Sequence, residues 1–343
     1  MTENAYADHL RGKGVPEAEI AEKLLVVRAF EAGLFTLGTA IETAGKPEVD
    51  RHARRMIADG SNTLENFEIL QSYALWRGLR PLYVALVEVT DCHNGMETLA
   101  EILETLYGAD VRAKVFLEPL PPLGADEKER LEYTKTIMGR MNTLLKPSEI
   151  RAAWFRVQHG IKPEEWCSAD AAERERYAGC ATVDEFLRLK RTNRNAALTG
   201  MHDRGELWFT MEMTDEVLAF LTDEHHMRLG EHNGRKGIVV TKVPYRAAQF
   251  IRETDDTLKR YYVCHCPLVR EAILRGETVS SDVCYCSLGH ASHFLTGMGL
   301  ETLEGEVIES AVRGDVRCRF IFYLPDEMEA RNRDGNEVTA SGS

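Results

Sequence analysis

Nowhere does this sequence hold the run of about 18 apolar residues that a membrane-crossing helix needs, so no such helix is expected. The opening stretch, MTENAYADHLRGKG, lacks the apolar centre of a secretory signal. No Walker phosphate loop, no Gly-x-Gly-x-x-Gly fingerprint and no Gly-x-Ser-x-Gly elbow occurs, which leaves ATP, dinucleotides and a serine nucleophile unsupported. Internal repeats and low-complexity tracts are missing too. Positive charge is in deficit: 42 Lys and Arg against 55 Asp and Glu give a formal charge of −13. Such a surface repels nucleic acid phosphates and anionic membranes alike. What remains is a composition, 44% hydrophobic and 28% charged, that suits an ordinary globular protein of the cytoplasm. In that compartment clustered cysteines bind metal or do redox work more often than they form structural disulfides.

The 343 residues exceed a usual single core, so two domains are expected, with three an alternative. The fold class reads as α+β, with a helix-rich N-terminal part and a mixed C-terminal domain. Helices fit 16–44, opening near Pro16, then 48–59 and 62–78, with Asn62 and Thr63 as cap candidates. The run LYVALVEV at 82–89 suits a buried strand, METLAEILETLY at 96–107 an amphipathic helix ending at Gly108, and DVRAKVFLE at 110–118 a second strand. The Pro- and Gly-rich stretch 119–126 marks a boundary. The expected division is 1–125, a mainly helical 126–200, a cysteine-rich 201–328, and a frayed tail at 329–343. Within the third part, strands fit 206–213, 237–243 and 259–264, and helices fit 215–228 and 267–275.

Five of the eight cysteines, Cys264, Cys266, Cys284, Cys286 and Cys318, fall within 55 residues. Four of them form two Cys-x-Cys pairs with 17 residues between. If each pair is extended, its two thiolates share a face and can lean toward one soft cation, Zn²⁺, or toward an iron–sulfur cluster. Pro267 after the first pair and Gly289 after the second supply plausible bends. Buried reduced thiols and a redox dithiol are the competing readings. The helix expected over 287–298 carries His290 and His293, three apart on one face, as metal ligands or proton carriers. A hairpin follows, with strands 301–310 and 316–324 joined by a turn at Arg313-Gly314-Asp315, which would bring Glu309 beside Cys318. A carboxylate next to a thiolate on an apolar face is costly unless a cation or donor lies between them.

These residues, Cys286, Gly289, a helix, Glu309-Ser310, Arg313-Gly314-Asp315, Cys318 and Phe320, resemble the C-terminal signature of the 4-vinyl reductase domain superfamily. The similarity is greatest to its L-2-amino-thiazoline-4-carboxylic acid hydrolase-like branch. It covers about 65 residues closely and some 120 loosely. The resemblance implies a zinc held by Cys286, Glu309 and Cys318. The superfamily's further cysteine after the glutamate has no counterpart, since Ala311 and Val312 stand there, while Cys264, Cys266 and Cys284 are additions. It also implies either an enzyme acting on a small organic molecule or a sensory module that encloses a small aromatic beside a structural zinc.

Three further clusters carry chemistry of lesser weight. Asp223, Glu224, His225, His226, Glu231 and His232 offer ligands for a second metal, or simply a solvated helix end. Asp91-Cys92-His93-Asn94 could host a nucleophilic cysteine. Arg151 and Arg156 could bind a carboxylate, although helical surface charge is the plainer account. Trp76, Trp154, Trp166 and Trp208 read as core or pocket-wall residues.

The leading expectation is a metal-dependent hydrolase of a C–N bond or heterocycle. Its metal is bound by the thiols of Cys264, Cys266, Cys284, Cys286 and Cys318, and Glu309 or His290 manages protons. A four-thiolate zinc is usually closed and structural, which turns the enzyme alternative toward an iron–sulfur cluster. The expected partner is a small-molecule substrate, with neither nucleic acid nor a membrane, and a homodimer stays open.

Overall fold

The computed structural model describes residues 2–157, 172–298, 304–326 and 328. Cys167, Trp166, residues 301–303 and the tail at 329–343 lie outside this set. The chain is a mixed α+β protein dominated by helices, with two small antiparallel sheets. It divides into two compact units, one of residues 1–93 with 119–130, the other of residues 94–118 with 131–343. No helix among the described residues is long and apolar enough to cross a membrane.

The first unit is all-helical. Its helices are Thr2–Gly12, Glu17–Thr36, Lys46–Asp59, Leu64–Trp76 and Arg80–Thr90. Thr63 caps the fourth, its hydroxyl accepting from the Asn66 N–H at 3.2 Å. The strand expected at 82–89 is instead the last helix. Its buried residues, Leu82, Ala85, Leu86 and Val89, recur at helical spacing, and Pro81 sits in its first turn, where a missing N–H costs nothing. The second expected strand also fails, because Ala109–Val115 is a short helix. The strand-helix-strand unit is therefore three consecutive helices. The valines at 84, 87 and 89 favour a strand by propensity, but the period of burial overrides them.

The second unit holds the larger sheet. Strands β1 (Leu207–Trp208) and β2 (Met211–Glu212) form a small hairpin, where one continuous strand was expected over 206–213. Phe209, with φ 55°, turns the chain there. The expected helix 215–228 stops at Asp223, and β3 (Met227–His232) takes over its last residues. Strands β4 (Arg235–Thr241), β5 (Gly305–Glu309) and β6 (Arg319–Tyr323) complete an antiparallel sheet in the order β3-β4-β6-β5. The β5–β6 hairpin forms where the alternation predicts it, with shorter strands than the expected 301–310 and 316–324 and with a bulge between Val307 and Glu309. One face of the sheet carries Ile238, Val240, Val307, Phe320 and Phe322, all in one buried cluster with Cys264 and Cys318. Helices supply further residues to that core, among them Val183–Asp203, through Phe186 and Leu187; Asp256–Val263, through Tyr261 and Val263; and Tyr285–Ser292, through Leu288 and Ala291. The strand expected at 259–264 is the middle one of these. Asp255 starts it by accepting from the Leu258 N–H at 2.9 Å, a capping signal stronger than the strand preference of Tyr261, Tyr262 and Val263.

Helix Tyr285–Ser292 rests on the end of helix Pro147–Phe155. A Cβ built on Gly289 would lie 1.9 Å from the Phe155 carbonyl oxygen. Gly289 was expected to bend the chain. It lies inside the helix, where its lack of a side chain lets two backbones meet.

Candidate functional site

The two Cys-x-Cys pairs take different conformations, and the difference sorts their sulfurs. Cys264 is extended, with φ −76° and ψ 121°, at the end of helix Asp256–Val263. Cys284 is helical, with φ −67° and ψ −11°, and helix Tyr285–Ser292 begins directly after it. Two residues along a helix turn the side chain by about 200°, so the second pair diverges. Cys284 faces Ser310, sulfur to hydroxyl 3.2 Å. Cys286 faces away and donates to the Val157 carbonyl at 3.2 Å. The shared face expected for 284 and 286 fails because the segment is not a strand.

Cys264, Cys284 and Cys318 act electrostatically on one another, and Cys266 is joined to them through Cys264 and Cys284 and also feels Cys286. Burial, then the charge at Cys284, pushes the Cys264 thiol up to about 11. Burial, then Cys318, pushes Cys284 to about 11. Burial, then Cys264, pushes Cys318 to about 12. Cys266 is raised well above its ordinary value by burial, then by Cys264, Cys286 and Cys284. Beside each of the four stands a donor that favours the thiolate over the thiol. The donors are the Cys266 N–H for Cys264, the Leu268 N–H for Cys266, the Ser310 hydroxyl for Cys284 and the Ala311 N–H for Cys318. Cys286 and Cys180 do the reverse and donate to carbonyls, Cys180 to that of Arg176 at 3.2 Å. Cys286 and Cys180 thus spend their protons on carbonyls, while the other four sulfurs have donors beside them.

A cation stands beside this cluster. The Lys242 N–H donates to the Cys318 carbonyl at 2.8 Å, which fixes Lys242 just past the β4–β6 ladder. Its ammonium donates to Ser287 Oγ at 2.9 Å, and its charge favours the thiolates of Cys264, Cys284 and Cys318. Arg270, fully buried over the Tyr245 and Tyr261 rings, acts on Cys264 in the same direction. His265 is held neutral, well below its ordinary value, by burial and then by Lys242, and its Nε2–H donates to the Val243 carbonyl at 2.7 Å. Lys242, His265, Cys266, Cys284, Ser287 and His290 all keep partial exposure, so solvent touches the rim of the cluster.

Among the described residues, no three His, Cys, Asp or Glu side chains already stand as ligands around one point. The sulfurs act on one another's charge, each with its own donor, without the closed spacing of a coordination shell. By donor chemistry the set fits a soft divalent cation.

The ligand set implied by the resemblance, Cys286, Glu309 and Cys318, is engaged differently. Glu309 pairs with Arg319, its register partner across the hairpin, at 3.0 Å. A bulge between Val307 and Glu309 sets that pairing, where Cys318 was the expected neighbour. His290 and His293 lie at the end of the Tyr285–Ser292 helix and in the 3₁₀ turn after it, and the His290 charge is felt by His265. Arg151 is paired with Asp282 at 2.7 Å, and Arg156 donates to the Ala152 carbonyl at 2.7 Å.

The histidines of 223–232 point three ways. His225 Nε2 lies 2.6 Å from Arg191, His232 lies 3.7 Å from Glu306, and His226 Nδ1 lies 2.6 Å from the Thr241 carbonyl. Burial holds His226 near a pKa of about 4. Its folded value lies below the unfolded one of about 6.5, so its contribution to stability is full above that pH. The contribution falls as pH drops from about 6.5 to about 4, by up to about 3 kcal/mol. Urea unfolding at pH 7 and pH 4.5 should show this loss, and His226→Gln should flatten it. Cys92 sits buried at φ 58°, with His93 exposed and bonded at Nδ1 to the Thr90 carbonyl, so the dipeptide does not form a thiol–imidazole pair. Trp154 is a core residue, its Nε1–H directed at the Met138 sulfur, 3.1 Å away.

Sequence reasoning missed Lys242, Ser310 and the N–H donors. Only the Cys-x-Cys spacing pointed toward them. Compared with protein-family models, with curated proteins and with solved structures, the chain matches none.

Proposed function

We propose that Cys264, Cys266, Cys284 and Cys318 gather around one soft metal ion, zinc before iron–sulfur, and that the chain is a metal-dependent hydrolase acting on a small organic molecule there, with Cys266, at the exposed rim, yielding its position to water. The resemblance to the L-2-amino-thiazoline-4-carboxylic acid hydrolase-like branch suggests the reaction class alone, since of its implied ligands only Cys318 belongs to this set. The observation that carries the reading is the sorting of sulfurs. Four thiols each have a hydrogen-bond donor beside them that favours the thiolate, and Lys242 acts in the same direction on Cys264, Cys284 and Cys318, an arrangement suited to thiolates. Neutral thiols need neither the donors nor the ammonium.

Bound zinc would supply a Lewis acid that eases attack of water on a C=N or amide-like carbon. The chain's own residues do the rest. Lys242 offsets negative charge at the sulfurs, and the hydrophobic core behind Phe320 and Phe322 excludes water from one side. His265 is neutral and oriented by Val243. His290, half-buried at the rim, is the group placed to carry a proton, whereas Glu309 is occupied by Arg319. A sensory role would use the same four sulfurs as a closed structural site.

Protein purified without oxygen tests this. Colourless protein with about one zinc per chain, losing hydrolysis of small amide and amidine compounds on chelation and regaining it with zinc, supports the reading. Brown protein with broad visible absorbance places a cluster there instead. Colourless protein with no metal, and none taken up on reconstitution, overturns it.

A further inference from the structure

The thiols are held from one side by a single turn, Ser310 to Asp315. Its first two residues serve two different sulfurs, with the Ser310 hydroxyl on Cys284 at 3.2 Å and the Ala311 N–H on Cys318. Ser310 and Ala311 are almost wholly buried. The turn is fixed at every corner. The Ser310 N–H donates to the Asp315 carboxylate at 2.8 Å, and the Ser310 carbonyl accepts from the N–H groups of Arg313 and Asp315 at 2.9 and 3.2 Å. Arg260 donates to the Ala311 carbonyl at 2.8 Å, and Arg313 to the Val307 carbonyl at 2.6 Å. Gly314, at φ 114°, closes it in a conformation that side chains disfavour. That is more bracing than a hairpin connection needs.

Resting on the metal reading above, we infer that the Ser310–Asp315 turn is the outer frame of the metal centre and that Ser310 is a positioning residue, its hydroxyl orienting the Cys284 sulfur and sharing its charge. The hydroxyl must then be the donor, toward a sulfur that also gives electron density to the ion. Removing it leaves a more electron-rich, less restrained thiolate. Outer hydrogen-bond partners of metal ligands change affinity by about 10- to 100-fold when lost.

The test uses the full chain, stripped of metal and loaded with Co²⁺ without oxygen, for wild type, Ser310→Ala and Ser310→Thr. Wild type should show thiolate-to-cobalt charge-transfer absorption. In Ser310→Ala that band should shift, and a chelator should withdraw the metal about 10- to 100-fold faster. Ser310→Thr, which keeps the hydroxyl, should restore both. The near-ultraviolet circular dichroism of the metal-free forms checks that the alanine variant folds. Charge-transfer bands and release rates identical in wild type and Ser310→Ala would overturn the inference and leave the metal reading standing. Absence of any thiolate-to-cobalt band in wild type would overturn both.

Discussion

Replacing Cys264 or Cys284 with serine should take the bound metal from about one equivalent per chain to below about a tenth, while Cys286→Ser should leave it near one. The two outcomes differ because the sulfurs differ. Cys264 and Cys284 have donors beside them, feel each other's charge and face Lys242. Cys286 spends its proton on the Val157 carbonyl and acts on Cys266 alone of the set. A serine hydroxyl is a harder and far less acidic donor than a thiol and cannot replace a thiolate around a soft ion. Cys318→Ser should behave like Cys264→Ser. Metal analysis of the four variants, purified side by side without oxygen, reads the result directly. Retention of metal in both Cys264→Ser and Cys284→Ser would remove those residues from the ligand set.

The second large effect concerns Gly289. Gly289→Ala should cost about 3–5 kcal/mol, at the high end for one methyl group. Most added methyls find relief through a rotamer change. This one has none, because a Cβ is fixed by the backbone and would stand 1.9 Å from the Phe155 carbonyl oxygen. Either helix Tyr285–Ser292 or the end of helix Pro147–Phe155 must move. The first carries Leu288 and Ala291 into the core, and Cys284 lies one residue before its start. Urea unfolding of the metal-free protein should show the loss of stability, and metal affinity should fall with it. A midpoint that gives a change under about 0.5 kcal/mol would contradict the close helix contact.

Parts of this structure can be read from sequence because they depend on local pattern. The Cys-x-Cys pairs stand out by spacing, the β5–β6 hairpin by alternation, the helix at 64–76 by Thr63 and the end of the helix at 95–107 by Gly108. Other parts depend on which neighbours the chain meets. Val84, Val87 and Val89 favour a strand alone, yet they lie in a helix because one side of it is buried. Tyr261, Tyr262 and Val263 suggest a strand until Asp255 is recognised as a cap. The largest misreading follows from conformation: two residues apart mean one face in a strand and nearly opposite faces in a helix. Applied to Cys284 and Cys286, that rule gave both one face, and the helix turns them apart. Glu309 was paired with Cys318 by position, and a bulge hands it to Arg319. The donors to sulfur, mostly main-chain N–H groups, leave no trace in side-chain identity at all.

Zinc K-edge X-ray absorption on the protein purified without oxygen tests most directly whether four sulfurs meet at one ion. A first shell dominated by sulfur at about 2.3 Å is the predicted result. A shell of nitrogen and oxygen alone at about 2.0–2.1 Å would contradict it.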